Sequence, residues 1–212
     1  MNLKEYIDHT LLSANATSDQ IERLCEEAKN HQFYAVCVNS AYVPLAKASI
    51  EDSNIKLAAT IGFPLGASLL KAKVEEAKLA VAAGADEIDM VLNIGFLLDR
   101  KLTEVEEEIS EVKKAIGSKI LKVIIETCYL TNEQITTASK LILQAGADFV
   151  KTSTGFGSRG ASIEDVKIIK QAIGDQIKIK ASGGIRDAAT ARKYIELGVD
   201  RIGTSSGIKI IS

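Results

Sequence analysis

A chain of 212 residues suits one domain with a sizeable core, and 46% hydrophobic beside 25% charged residues suits a protein that stays in water. The formal net charge of −2 gives no electrostatic pull toward nucleic acid or an anionic membrane, and no apolar run approaches the roughly 20 residues that span a bilayer. Cys25, Cys37 and Cys128 are widely spaced with no CxxC pair, which argues against a disulfide scaffold or a cysteine zinc site and for a reducing cytoplasm.

The opening MNLKEYIDHTLL lacks the apolar stretch of a signal peptide. Within it YIDHTLL (6–12) is short and polar, and its place before a helix makes it the weakest strand prediction. TSDQIERLCEEAKN then sets Ile21, Leu24, Cys25 and Ala28 on one stripe at helical spacing. AVCVN (35–39) and KLAATI (56–61) read as strands, SLLKAKVEEAKLAVAAG as a helix, and EIDMVL (87–92) as a strand. The helical segment TEVEEEISEVKKAIG carries Glu106 three residues after Thr103, a capping-box spacing. The strand KVIIET (122–127) and the helix TNEQITTASKLILQAG follow, then FVKTS (149–153) and SIEDVKIIKQAIG. KIKAS (178–182), DAATARKYIELG and RIGTS (201–205) complete the alternation, with a very short final helix in GIKIIS. AGADEID (83–89), AGADFVK (145–151) and LGVDRIG (197–203) form a weak repeat, each a helix end, a turn and a strand start. Nothing resembling a linker divides the chain. Residues 1–212 are therefore expected to form a single (β/α)8 barrel, with an open doubly wound sheet as the rival.

Strands of a parallel sheet are buried on both faces and should be continuously apolar. Asp89, Lys151 and Lys180 break that rule. Buried charges must pair or shift their proton affinity, and a closed barrel would gather these strand ends at one mouth. That convergence favours the barrel. Two lysines and a carboxylate there suit Schiff-base chemistry. Burial and a neighbouring ammonium keep one amine neutral enough to attack a carbonyl, and the carboxylate helps to move protons. No metal or organic cofactor is called for. Blander readings stand beside this one: Lys178 shares a face with Lys180 by the period-2 rule, and Asp89 also suits a turn cap. His31 reads as solvated at a helix end, while His9 suits either a structural or a substrate role. Gly183-Gly184 in ASGGIRD and Ser205-Ser206 in IGTSSG, on the last two strands, suit a phosphate site. Arg159 and Arg186 could add charge but are by default solvated.

IDHTLL, AVCVN, ATIGFPLG, EIDMVLNIG, KVIIETCYL, FVKTSTGF, KIKASGGIR and RIGTSSG, in this order, resemble deoxyribose-phosphate aldolase, a class I aldolase with a (β/α)8 barrel. The likeness covers essentially the whole chain, and FVKTSTGF and KASGGIR are its most specific parts. It implies reversible cleavage of 2-deoxy-D-ribose 5-phosphate to D-glyceraldehyde 3-phosphate and acetaldehyde. It also implies Lys151 as the Schiff-base lysine, Lys180 depressing its pKa and joining proton transfer, and Asp89 acting with Lys180. Gly183, Gly184, Ser205 and Ser206 would hold the phosphate, with Asp8, Cys37 and Thr154 near the substrate. The resemblance selects Lys180 over Lys178 and suggests a homodimer or homotetramer. Family members often continue a little beyond KIIS, which leaves the acceptor range open. Another Schiff-base aldolase, a phosphosugar isomerase or epimerase, and a silent phosphosugar-binding protein are the competing readings.

Overall fold

The computed structural model describes residues 2–212. Eight strands follow one another around a closed, all-parallel barrel. The first four are β1 (Ile7–Leu11), β2 (Ala35–Asn39), β3 (Lys56–Ile61) and β4 (Glu87–Val91). The others are β5 (Ile120–Ile124), β6 (Phe149–Lys151), β7 (Lys178–Ser182) and β8 (Arg201–Thr204). Closure is made by β1 against β8, where Ile7 faces Ile202 and Asp8 faces Gly203. The barrel expectation holds, and the open sheet is excluded.

The helices lie outside in the order expected: α1 (Ser18–His31), α3 (Leu70–Ala82), α5 (Leu102–Ile116), α6 (Asn132–Gln144), α7 (Ile163–Ile173) and α8 (Ala188–Glu196). Two short helices, α2 (Val43–Ser49) and α4 (Ile94–Leu98), were not legible in the sequence, and α9 (Gly207–Ile211) is as brief as its few residues suggest. Capping boxes close the starts of α6, by Thr131 with Gln134, and α7, by Ser162 with Asp165. The expected box at Thr103 and Glu106 does not form. Helix α5 begins one residue earlier, with Lys101 at its N-cap, so Thr103 already lies in the first turn. Among the described residues, no helix is long and apolar enough to cross a membrane.

The repeated Gly-x-Asp turn has a definite job. Gly84, Gly146 and Gly198 take positive φ, which lets each helix end fold back at once into a strand. The aspartate that follows clamps two strands together. Asp86 accepts the Leu57 N–H at 3.1 Å, Asp148 that of Leu121 at 2.8 Å and Asp200 that of Ile179 at 3.0 Å. Each also donates its own N–H to the carbonyl of the same partner residue. The repeat thus fixes the register of β4 on β3, β6 on β5 and β8 on β7.

Alternate strand residues face opposite ways. Outward-facing Val36, Leu57, Ile88, Met90, Leu121, Val123, Val150, Ile179 and Ile202 pack with the helices into one hydrophobic layer. The inward-facing set holds the buried charges, with small residues such as Ala58 and Gly203 and a few larger apolar ones, Val91, Ile124 and Phe149, among them.

Candidate active site

Four lysine and arginine side chains enter the barrel interior with three carboxylates, and all seven are buried. Lys151, the last residue of β6, places Nζ 2.7 Å from Asp89 Oδ2. Lys180, in the middle of β7, reaches the same oxygen at 2.8 Å and Asp8 Oδ2 at 2.5 Å. Register puts Lys151 beside Lys180 on neighbouring strands, so the two amines share one carboxylate because the barrel aligns them. Lys122 of β5 contacts Asp89 Oδ1 at 2.8 Å and Glu87 Oε2 at 2.5 Å. Arg201 of β8 binds Asp8 Oδ1 at 2.6 Å and Glu87 Oε1 at 2.8 Å.

These environments divide the lysines. Burial lowers the pKa of Lys151, the charge of Lys180 adds to that, and Asp89 opposes it without reversing it. Burial also acts against the charge of Lys180, but Asp8 and Asp89 outweigh it and raise its pKa. Burial alone would raise the Asp89 carboxyl. Lys122, Lys151 and Lys180 override it and hold Asp89 well below the ordinary carboxylate value. One amine is thus eased toward its neutral form beside another kept as ammonium. A pair of titratable groups driven apart in this way is suited to nucleophile and proton-transfer roles.

Above Lys151 lies a cavity of about 260 Å³. Its wall includes Thr10, Thr154, Ser182, Gly183, Gly184 and Ser205. Lys151 lines it, whereas Asp89, Lys180, Asp8 and Cys37 lie below its floor. Gly183 and Gly184 both take positive φ. A side chain on Gly183 would meet Gly160 Cα at 2.8 Å, while nothing stands within 4 Å of one at Gly184. Together they leave a bare strip of backbone along the wall, the kind of surface that admits an anion closely. Arg186 lies beside this strip.

The other sequence candidates separate clearly. Ser205 lines the cavity; Ser206 lines a neighbouring groove, and its N–H is taken by Thr204 Oγ1 at 2.9 Å. Thr154 lines the cavity, and Asp8 is committed to Lys180 and Arg201. Cys37 Sγ lies 4.0 Å from Asp89 Oδ2, and burial raises its thiol pKa. Lys178 is exposed at the start of β7, its ammonium 5.7 Å from the Phe149 ring centre, so only Lys180 joins the charged cluster. Arg159 forms a two-pronged pair with Asp165, at 2.5 and 3.1 Å. His9 turns away from the cavity to Glu27, 2.9 Å from Nε2, and His31 stacks on Phe33.

Four participants escaped the sequence reading. Lys122 was taken as the first residue of a strand that in fact begins at Ile120, where a charge is unremarkable. Glu87 and Arg201 do begin strands, but they point into the closed barrel rather than to water. Glu126 follows β5 with φ 50, rare for a residue with a side chain, and its buried carboxylate accepts both the N–H and the hydroxyl of Thr154. Its anomalous backbone has no sequence signature.

A family model described as DeoC/LacD family aldolase matches residues 3–212. A deoxyribose-phosphate aldolase of Coprothermobacter proteolyticus is 54% identical over 100% of this chain and 96% of its own. One from Mycoplasmopsis pulmonis is 51% identical with the same coverage. Among solved structures, a tetrameric deoxyribose phosphate aldolase from Aeropyrum pernix superposes with a TM-score of 0.89 at 33% identity. The match covers 99% of this chain and 89% of that one.

Proposed function

The chain belongs to the DeoC/LacD family of aldolases, and from that premise we propose that it cleaves 2-deoxy-D-ribose 5-phosphate reversibly to D-glyceraldehyde 3-phosphate and acetaldehyde through a Schiff base on Lys151. The observation that carries the role of Lys151 is its position. Among the buried amines of the barrel it alone lines the cavity, beside a carboxylate and a second ammonium.

The steps follow from those positions. Neutral Lys151 Nζ attacks C1 of the open-chain sugar, and loss of water gives an iminium. The C3 hydroxyl loses its proton, the C2–C3 bond breaks, and its electron pair passes into the iminium to form an enamine. D-Glyceraldehyde 3-phosphate departs. Protonation of the enamine at C2 and hydrolysis release acetaldehyde and the free amine. Lys180 and Asp89 are the proton-transfer partners, since both carry hydrogen-bonded charge directly beneath the nucleophile. The Gly183-Gly184 strip and Ser205 receive the phosphate, with Ser206 behind them shaping the turn. Thr154, held by Glu126, faces the sugar. Asp8 and Cys37 act from below, Asp8 by keeping Lys180 charged. Likeness to a tetrameric relative supports a homo-oligomer, and the exposed Leu65 and Leu69 suit one of its contacts.

The experiment is borohydride reduction in the presence of acetaldehyde, followed by intact mass and peptide mapping. The expected result is one ethyl group on Lys151. Labelling of Lys180 would reassign the nucleophile, and an unlabelled folded protein would remove the Schiff-base reading.

A further inference from the structure

Six of the buried charged residues form a closed circuit. Starting at Asp89, the contacts run to Lys122 at 2.8 Å, Glu87 at 2.5 Å and Arg201 at 2.8 Å. They continue to Asp8 at 2.6 Å and Lys180 at 2.5 Å, and return to Asp89 at 2.8 Å. Signs alternate around the circuit, and every member touches two of opposite sign. Lys122 also lies 3.6 Å from Asp8, across the ring. Three negative charges meet three positive ones. The ring is electrically complete, which is the condition under which so many charges can stay buried.

Lys151 is the odd residue. It contacts Asp89, which already serves Lys122 and Lys180. No carboxylate in the ring is left over to hold a proton on Lys151. Counting the ring and Lys151 together, the charges balance when Lys151 is neutral and leave one positive charge over when it is protonated. We propose that Glu87, Lys122 and Arg201 are positioning residues, whose place in this ring keeps Lys180 and Asp89 ionised and makes Lys151 the one interior amine free to give up its proton. Glu87 and Arg201 sit at the far end of the barrel, where the Arg201 guanidinium lies 3.3 Å from the centre of the Tyr34 ring, and they touch no wall of the cavity. They act through charge alone.

This inference rests on the Schiff-base reading, and its test is read on the same lysine. The groups that face Lys151 are Asp89 from β4, Lys180 from β7, Cys37 from β2 and Glu126 after β5. Glu87→Gln removes a negative charge from the ring and Lys122→Met removes a positive one. The acid limb of kcat/KM reports the free amine of Lys151. It should move down by about one pH unit in Glu87→Gln and up by about one unit in Lys122→Met. The double variant, neutral overall, should return close to the parent. A merely structural role would weaken both single variants without opposite shifts. Shifts of the same sign, no shift, or a double variant no closer to the parent would each overturn the proposal.

If a variant does not fold, Nζ nitrogens of the parent protein labelled with 15N-lysine give the same answer by NMR titration. Lys122 and Lys180 should keep their ammonium signals throughout the range in which Lys151 loses its own. Loss of either alongside Lys151 would overturn the ring. Borohydride trapping in the parent keeps the two claims apart. Trapping on Lys151 without the expected shifts defeats the ring alone, and absence of trapping defeats the Schiff base.

Discussion

The inner and outer faces of the barrel are written by alternate residues of the same strands, yet they obey different rules. On β4, Ile88 and Met90 point outward into hydrocarbon while Glu87 and Asp89 point inward into charge. The outer layer is held by area: each apolar side chain contributes in proportion to the surface it removes from water, and neighbours of similar shape can stand in for one another. The inner set is held by balance, since each ion is tolerable only because the next has the opposite sign. Stability is therefore spread broadly on one side of a sheet a single residue thick, and concentrated in a few ion pairs on the other. Lys151, the proposed nucleophile, belongs to the second region, where neighbours change proton affinity rather than only packing.

The strongest way to break the comparison is Lys151→Ala. It should remove turnover by more than about 10³-fold while the protein remains folded, since it takes away the proposed nucleophile and leaves the ring paired. Steady-state kinetics beside circular dichroism would check both halves. Asp89→Asn comes next. It strips three lysines of a shared carboxylate and should cost about 3–5 kcal/mol in urea unfolding, together with most of the activity. Ile88→Val, one residue away but facing out, should cost only about 0.5–1.5 kcal/mol and leave kcat within twofold. If the two neighbours behaved alike, the division between faces would be wrong.

The smallest effect is a pH dependence. Asp8 and Asp89 have carboxyls held below the ordinary value of 3.8, since burial is outweighed by Lys180 and Lys122 at Asp8 and by Lys122 and Lys151 at Asp89. A depressed acid binds fewer protons folded than unfolded. Their stabilisation is thus complete above the ordinary carboxylate value and is lost as pH falls through the lowered ones. Thermal melts from neutral pH downward should stay level until the ordinary range and then drop. Asp89→Asn should flatten that drop.

The outer face was legible in advance because helical stripes and apolar strands are local patterns. AVCVN, KLAATI and KIKAS match β2, β3 and β7 end to end. The short α2 and α4 carry too few turns to display a stripe, and Thr103 with Glu106 had the spacing of a box without being at the helix start. The inner face was legible only where a charge broke an apolar run beyond its first residue, as at Asp89, Lys151 and Lys180. A charge at a strand start, such as Glu87 or Arg201, reads as solvated until closure turns it inward. Who pairs with whom depended on registers between strands far apart in the chain, and no single segment contains that information. Lys180 and Asp89, which the resemblance paired, touch directly.

Strand β1 meets β8 at the seam of the barrel, and there Asp8 reaches across nearly the whole chain to Lys180 and Arg201. The ring therefore cannot exist in a partly made protein. A chain lacking its first strand would leave Lys180 and Arg201 without Asp8, and one lacking its last would leave Asp8 without Arg201. The surroundings proposed to ease the proton off Lys151 would therefore be complete only once the two ends of the chain have met.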